Sequence, residues 1–358
     1  MGYIFVFMRL ILSLLLVATA VRAGAQNSFA QMEQAITAGL YPNVHSVLIA
    51  RGNQTIYEQY YNGYRSDSLH DSRSSFKSIT SLLVGIAIDK GLIKDVDQKV
   101  FTFFPRDTAF SSDHLKKQMT IRNLLEMRTG FDCEEWNGSK DCESEMEKAR
   151  DWVRFSLALP MKNAPGMEWA YTSCATMIIS GIIERASGMS VMRFAEEHLF
   201  SKLGIKNYRW TVDPNGHGMT AGSFYIRPED MLKIGQMVLN QGEFSGKRVV
   251  SREWIRESTR AEILIPDGSF VKSSRSKLAT PQPAFYGYQW YNEVIKTNDA
   301  SYPMVVASGN GGQYIIIIAP LNVVVVFTQG NYGSRVAKQA FDILAKFILP
   351  AKPFTKSK

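Results

Sequence analysis

The chain of 358 residues is poor in the side chains that usually hold metals. It has three cysteines (Cys133, Cys142, Cys174) and five histidines (His45, His70, His114, His198, His217), with no ligand spacing among them. That argues against a metal centre. Apart from Leu10 to Val21 near the N-terminus there is no long apolar run, so a polytopic membrane protein is not expected. Internal repeats and low-complexity linkers are missing too. With 21% charged and 45% hydrophobic residues the composition is that of an ordinary globular chain with a real core, neither disordered nor collagenous. A strong excess of one charge is also lacking. The net charge of +8 falls to +6 once Arg9 and Arg22 are left out, and the basic residues are scattered apart from "KSSRSK" (Lys272 to Lys277) and the tail "AKPFTKSK". No nucleic-acid partner is expected from this; solubility or contact with an anionic cell envelope accounts for it better.

What is present begins with an export pattern. Arg9 precedes the apolar run, and Ala23-Gly24-Ala25 offers a small-x-small cleavage site. Met8 offers an alternative start. The run is shorter than the roughly 20 residues of a bilayer span, so residues 1–25 are expected to be removed rather than to anchor the protein. No cysteine near the site points to a lipid anchor. The expected location is therefore periplasmic or secreted. In such an oxidising compartment Cys133 and Cys142 can pair across a polar loop, leaving Cys174 free.

Residues 44–64 read as two strands around the turn Gly52-Asn53. "DSRSSFKSITSLLVGIAIDKG", Asp71 to Gly91, follows as a helix with Gly91 placed to end it in a left-handed position. From about 92 to 240 the pattern is mainly helical. Thr120 is a candidate N-cap before Leu124, "TSCATMIISGIIERASG" is a strongly apolar helix stopping at Gly188, and Pro228 opens a helix that closes at Gly242. Then the period changes. "FYGYQWYNEVI", "YPMVVASGNG", "QYIIIIAP" and "NVVVVFTQG" are strand-like, the last three apolar enough to be central, and one helix ends the chain. Strands at both ends with helices between imply an α/β domain over about 26–350. Its sheet is built from about 40–91 and 280–350, with a mostly helical part at about 92–240 inserted and a basic tail at 351–358.

One residue is out of place in this pattern. Lys77 sits in a run otherwise built for burial, with Ser74 three positions before it. On a helix these two share a face. A lysine held in apolar surroundings loses hydration, which lowers its pKa and fits it to act as a base toward a serine. Ser269/Lys272 and Ser274/Lys277 have the same spacing but lie in a polar, turn-rich stretch; only Ser74 leads into a buried helix. Tyr171-Thr172-Ser173 precedes the second buried helix, where a phenol and a hydroxyl two residues apart can face one pocket and move protons. Tyr64-Arg65-Ser66 and Tyr332-Gly333-Ser334 share that form.

Taken in order, Ser74-x-x-Lys77, "TIRNLLEMRTGF", "PGMEWAYTS" and "GNGGQYIIIIAP" resemble the motifs of serine hydrolases of the β-lactamase/penicillin-binding-protein superfamily. The likeness is to its class C β-lactamase-like branch, which includes esterases and 6-aminohexanoate-dimer hydrolases, and it covers roughly residues 40 to 348. The resemblance implies an α/β sandwich with a central antiparallel sheet and the active site between sheet and helices. It implies Ser74 as the acylated nucleophile, Lys77 as its base partner, Tyr171 as acid or base, and Ser173 in the position of an Asn or Ser. It implies an oxyanion hole from the Ser74 N–H and an N–H of the strand following "SGNGG", substrate contact along Gly309, Asn310, Gly311 and Gly312, and no cofactor. The departure is the third motif: where relatives often carry Lys-Thr-Gly or His-x-Gly, this chain has Ala307-Ser308-Gly309-Asn310-Gly311-Gly312-Gln313, with no cation. That lowers the expectation of a substrate carboxylate.

The expected function is thus an exported serine hydrolase acting on an ester or small amide. A D-Ala-D-Ala carboxypeptidase or penicillin-recognising enzyme is the alternative within the class, and a non-catalytic envelope-binding protein the alternative outside it. Trp169, Tyr286, Tyr288, Trp290 and Tyr291 are candidate pocket aromatics, although strand aromatics usually serve the core. Arg227 reads as a surface residue, His217 as a loop histidine without a role, and Cys174 as a small buried thiol. Oligomeric state is not legible.

Overall fold

The computed structural model describes residues 28–135, 141–266, 284–297 and 300–351. The export stretch, the two extra Ser-x-x-Lys matches and nearly all of the basic tail lie outside the described residues. Among the described residues no helix is long and apolar enough to cross a membrane.

An antiparallel sheet of eight strands forms the frame. Its order is Gln54–Tyr60, Val44–Arg51, Val323–Gln329, Gln313–Ile318, Ser301–Gly309, Tyr291–Lys296, Phe285–Tyr286 and Ile263–Leu264. The chain ends meet in the middle, where Val47 pairs with Phe327 and Ile49 with Val325. The apolar runs are central, as expected, and Gln313–Ile318 and Val323–Gln329 are buried along their whole length. Burial on both faces has a simple cause, because helices cover each. Gly235, in the helix Pro228–Leu239, lies directly on Val324 and Ile315. On the opposite face Tyr314 packs edge-on against Phe341, 5.3 Å between ring centroids, in the C-terminal helix. Each fully buried Val or Ile contributes about 1.5–3 kcal/mol of transfer free energy, so this sheet is a rigid wall for the site.

Within the stretch read as helical, Ile121–Leu125 is capped by Thr120, whose side chain and that of Asn123 hold each other's backbone. Ser173–Ser187 is capped by Thr172 and ends at Gly188 with φ 72°. Phe76–Asp89 is buried on almost every side, and Gly91 takes φ 70° just beyond it. Two features were not expected. Pro228–Leu239 packs on the sheet rather than among the helices, and a small sheet of His70–Asp71, Phe224–Ile226 and Tyr208–Trp210 precedes the first buried helix. That small sheet sets the entry to the site, since the Ser72 N–H donates to Phe224 O at 2.8 Å.

Candidate active site

Ser74 lies in a single 3₁₀ turn, Arg73–Ser75, that runs into Phe76–Asp89. Arg73, immediately before it, has φ +48°, a strained value for a residue with a side chain. Several contacts hold it there. The Arg73 N–H donates to Asp71 Oδ1 at 2.9 Å, its guanidinium pairs with Asp71 at 3.0 Å, and the side chain lies over the Tyr332 ring at 5.1 Å. Ser75 closes the turn by donating from Oγ to Ser72 O at 2.7 Å. The result leaves Ser74 partly exposed while Ser72, Ser75 and Phe76 around it are buried.

Lys77, 1% exposed, lies one helical turn on. Its ammonium donates to Ser74 Oγ at 3.0 Å, to Ser173 Oγ at 3.0 Å and to Ala221 O at 2.8 Å. Its Nζ is also 5.0 Å from the centroid of the Tyr171 ring. Burial pushes its pKa below the usual lysine range, against the pull of Glu143, Glu135 and Cys174. Tyr171 is buried and hydrogen-bonded to Ser74 and to Tyr291; burial holds its phenol well above the ordinary value, so it stays protonated. The four residues expected to carry the chemistry, Ser74, Lys77, Tyr171 and Ser173, are thus together.

A fifth member was missed. Glu135 accepts from the Ser173 N–H at 2.7 Å, from Thr172 Oγ1 at 3.1 Å and from Ser173 Oγ at 3.0 Å. Burial pushes its carboxyl up to about 7, opposed by Lys77 and reinforced by Glu143. It is delivered by the loop that the Cys133–Cys142 disulfide closes. The paired cysteines flanking an acidic stretch were the available signal.

A cleft of about 380 Å³ opens above these groups, lined among others by Ser74, Tyr171, Tyr291, Gly309 and Lys338. Gly309, Asn310 and Gly311 reach it as expected, whereas Gly312 does not line it and packs on the Gln329 amide. Gly309 is required by close approach: a Cβ there would lie 2.3 Å from Ser72 O. The strand to which the resemblance assigns the second oxyanion donor differs in its pairing from the strand end at the cleft. The strand after the glycines, Gln313–Ile318, is paired on both sides. The open edge is the end of Ser301–Gly309, which after Val306↔Tyr291 has no strand partner on that side among the described residues and faces the turn holding Ser74. The absence of a cation in the third motif is also offset in space: Lys338, from the turn Arg335–Lys338, lines the cleft. Burial pushes its pKa down to about 7, against Glu293.

Of the five candidate pocket aromatics, Tyr291 lines the cleft. Tyr286 supports it edge-on at 4.7 Å, Trp290 is core, Trp169 stacks behind Tyr171 and Tyr286, and Tyr288 donates to Glu257. Arg227 is tied to Asp230 at 2.8 Å. Cys174 is buried, with its thiol pushed up to about 12. His217 is not idle. Its Nδ1 is 2.6 Å from Glu184 and its Nε2 3.7 Å from Asp151, and with Asp213 it forms a cluster away from the cleft. The cluster's carboxylates are engaged by the chain itself: Asp213 accepts from the N–H groups of Trp152, Asn215 and His217, and Asp151 caps Arg154.

The family model described as Beta-lactamase matches residues 29–346. A 6-aminohexanoate-dimer hydrolase of Paenarthrobacter ureafaciens is 26% identical over an alignment of 254 residues that covers 63% of this chain and 62% of that protein, so the match spans less than two thirds of the relative. Among solved structures, simvastatin synthase of Aspergillus terreus is similar with a TM-score of 0.70 at 14% identity, over 91% of this chain and 98% of that one. A D-stereospecific amidohydrolase of Streptomyces sp. has a TM-score of 0.64 at 15% identity, over 89% and 98%. At these identities the structures speak for the fold.

Proposed function

Because the chain belongs to the beta-lactamase family of serine hydrolases, we propose that it cleaves an ester or small amide through an acyl-enzyme on Ser74. The carrying observation is the buried Lys77 Nζ at 3.0 Å from Ser74 Oγ. Ser74 attacks the carbonyl and its proton passes to Lys77. The carbonyl oxygen becomes negative and is met by the Ser74 N–H and by backbone at the open edge beside Asn310. Tyr171, kept neutral by burial and hydrogen-bonded to Ser74, gives its proton to the leaving group and recovers one from the water that later cleaves the acyl-enzyme. Export is part of the proposal, supported by the N-terminal pattern and by the Cys133–Cys142 disulfide.

The cleft lining favours substrates with a polar end. Glu135, Asp141 and Glu143 are in it, as is Lys338. The name of the Paenarthrobacter relative, a hydrolase of an amino-acid dimer, fits a small amide with a free amine. Lys338 is the specific observation that favours the second reading, an enzyme recognising a substrate carboxylate as penicillins and D-Ala-D-Ala peptides present it.

Labelling with a fluorophosphonate probe tests the first claim. Wild-type protein is expected to label, and Ser74→Ala to lose both labelling and hydrolysis of short p-nitrophenyl esters by about 10⁴-fold or more. A folded wild-type protein that does not label would overturn the hydrolase reading in favour of a binding protein. Stable labelling by a fluorescent penicillin would move the substrate class to the second reading.

A further inference from the structure

The hydrogen bonds around Lys77 pose a problem for it as a base. An ammonium has three N–H donors, and all three are spent, on Ser74 Oγ, Ser173 Oγ and Ala221 O. As an ammonium with these three contacts Lys77 carries no lone pair and cannot accept the Ser74 proton. A proton must leave first. Lys77, Ser173 and Thr172 are buried, and the cleft meets the lysine at Ser74, the very group it must deprotonate. A second path is built. Lys77 Nζ donates to Ser173 Oγ at 3.0 Å, and Ser173 Oγ donates onward to Glu135 Oε2 at 3.0 Å, so every donor on the path points away from the lysine.

We propose that Glu135 is the proton acceptor that empties Lys77 before attack, taking the proton through the Ser173 hydroxyl. The proposal rests on the reading of Ser74 as the acylated serine. In the step, one N–H bond of the ammonium breaks as Ser173 Oγ gains that hydrogen. The original Ser173 O–H breaks as Glu135 Oε2 gains its hydrogen. Ammonium and carboxylate become amine and carboxylic acid, with no change in net charge. Rotation about the Lys77 Cε–Nζ bond then turns the lone pair to Ser74 Oγ.

The surroundings are matched to such an exchange. Burial disfavours the charge on both ends, lowering Lys77 and raising Glu135 to about 7, so the two proton affinities approach each other. The titratable groups that face the pair are Glu143 from the helix Cys142–Lys148, Cys174 from the helix Ser173–Ser187, and Tyr171. Glu143 adds to the rise at Glu135. Glu135 touches none of the reacting atoms; it is a positioning residue, and what it positions is a proton.

The pH dependence of kcat/KM for p-nitrophenyl acetate separates this from a structural role. Without Glu135, Lys77 must lose its proton to solvent, so the acid limb of the profile moves to higher pH. Glu135→Gln and Ser173→Ala are each expected to lose roughly tenfold at neutral pH, and to recover to near the wild-type rate at about pH 9. Equal loss at every pH in Glu135→Gln, or an unchanged profile in either variant, overturns the proposal. Fluorophosphonate labelling at the alkaline end checks that each variant is folded, and Ser173→Ala leaves the Glu135 loop intact if Glu135→Gln does not fold. Failure of the hydrolase reading is distinguishable, because wild-type protein would then label and turn over at no pH.

Discussion

Two polar clusters are embedded in the helical half of this molecule, and they handle buried charge in opposite ways. Around His217, charges and donors match. Asp213 meets three backbone N–H groups, and Glu184 raises the proton affinity of the imidazole it bonds. Around Lys77, burial works against the charged groups: the ammonium is lowered and the Glu135 carboxyl raised. Satisfied charges make a fastening. Charges held near their neutral forms make a place where protons can move at little cost. The His217 cluster therefore reads as structural, although its composition has the look of a metal site.

Substitutions can break that distinction. Lys77→Met should lower ester hydrolysis by about 10³-fold or more, read as kcat/KM against a variant whose secondary structure is intact. Asp213→Ala should do the reverse. It strands three N–H groups, of which the Trp152 one is buried, so the denaturation midpoint should fall by the equivalent of about 1–3 kcal/mol while activity per folded molecule is unchanged. If Asp213→Ala instead abolished activity in folded protein, the two clusters would not be separate. The smallest effect should come from Glu184→Gln. His217 has a raised folded pKa, so its contribution is fully present below its ordinary value near 6.5 and is lost as pH rises through the folded value. Wild-type protein should thus be about 1 kcal/mol more stable than Glu184→Gln at low pH, with the difference fading under alkaline conditions; chemical denaturation at both ends of the range measures it.

Legibility in the sequence followed the range of the forces involved. Ser74 and Lys77 are readable because one helical turn fixes their relation, and Tyr171 and Ser173 because they precede an apolar helix. Central strands announce themselves through unbroken runs such as Ile315–Ile318. Two- and three-residue strands, Ile263–Leu264 or Phe224–Ile226, are too short to show a period and exist because a neighbour pairs with them. Glu135 and Lys338 were hidden for a related reason. Each reaches the cleft through tertiary placement, one by a disulfide-closed loop and the other by a turn after the last strand; the flanking cysteines hint at the first, and nothing local marks the second. Which strand end stays open at the cleft was not legible either, because strand order, not residue type, decides it.

The joining of Val44–Arg51 to Val323–Gln329 has a kinetic consequence. These partners come from opposite ends of the chain, and closing a loop of that length makes the sheet slow to complete. Gly309, which lies against the turn holding Ser74, belongs to the same late-arriving segment. A growing or truncated chain that lacks the C-terminal strands can form its helices but has no wall on which to set the serine. The cleft around Ser74 is therefore complete only once those strands are in place, and a chain without them carries no partly built site.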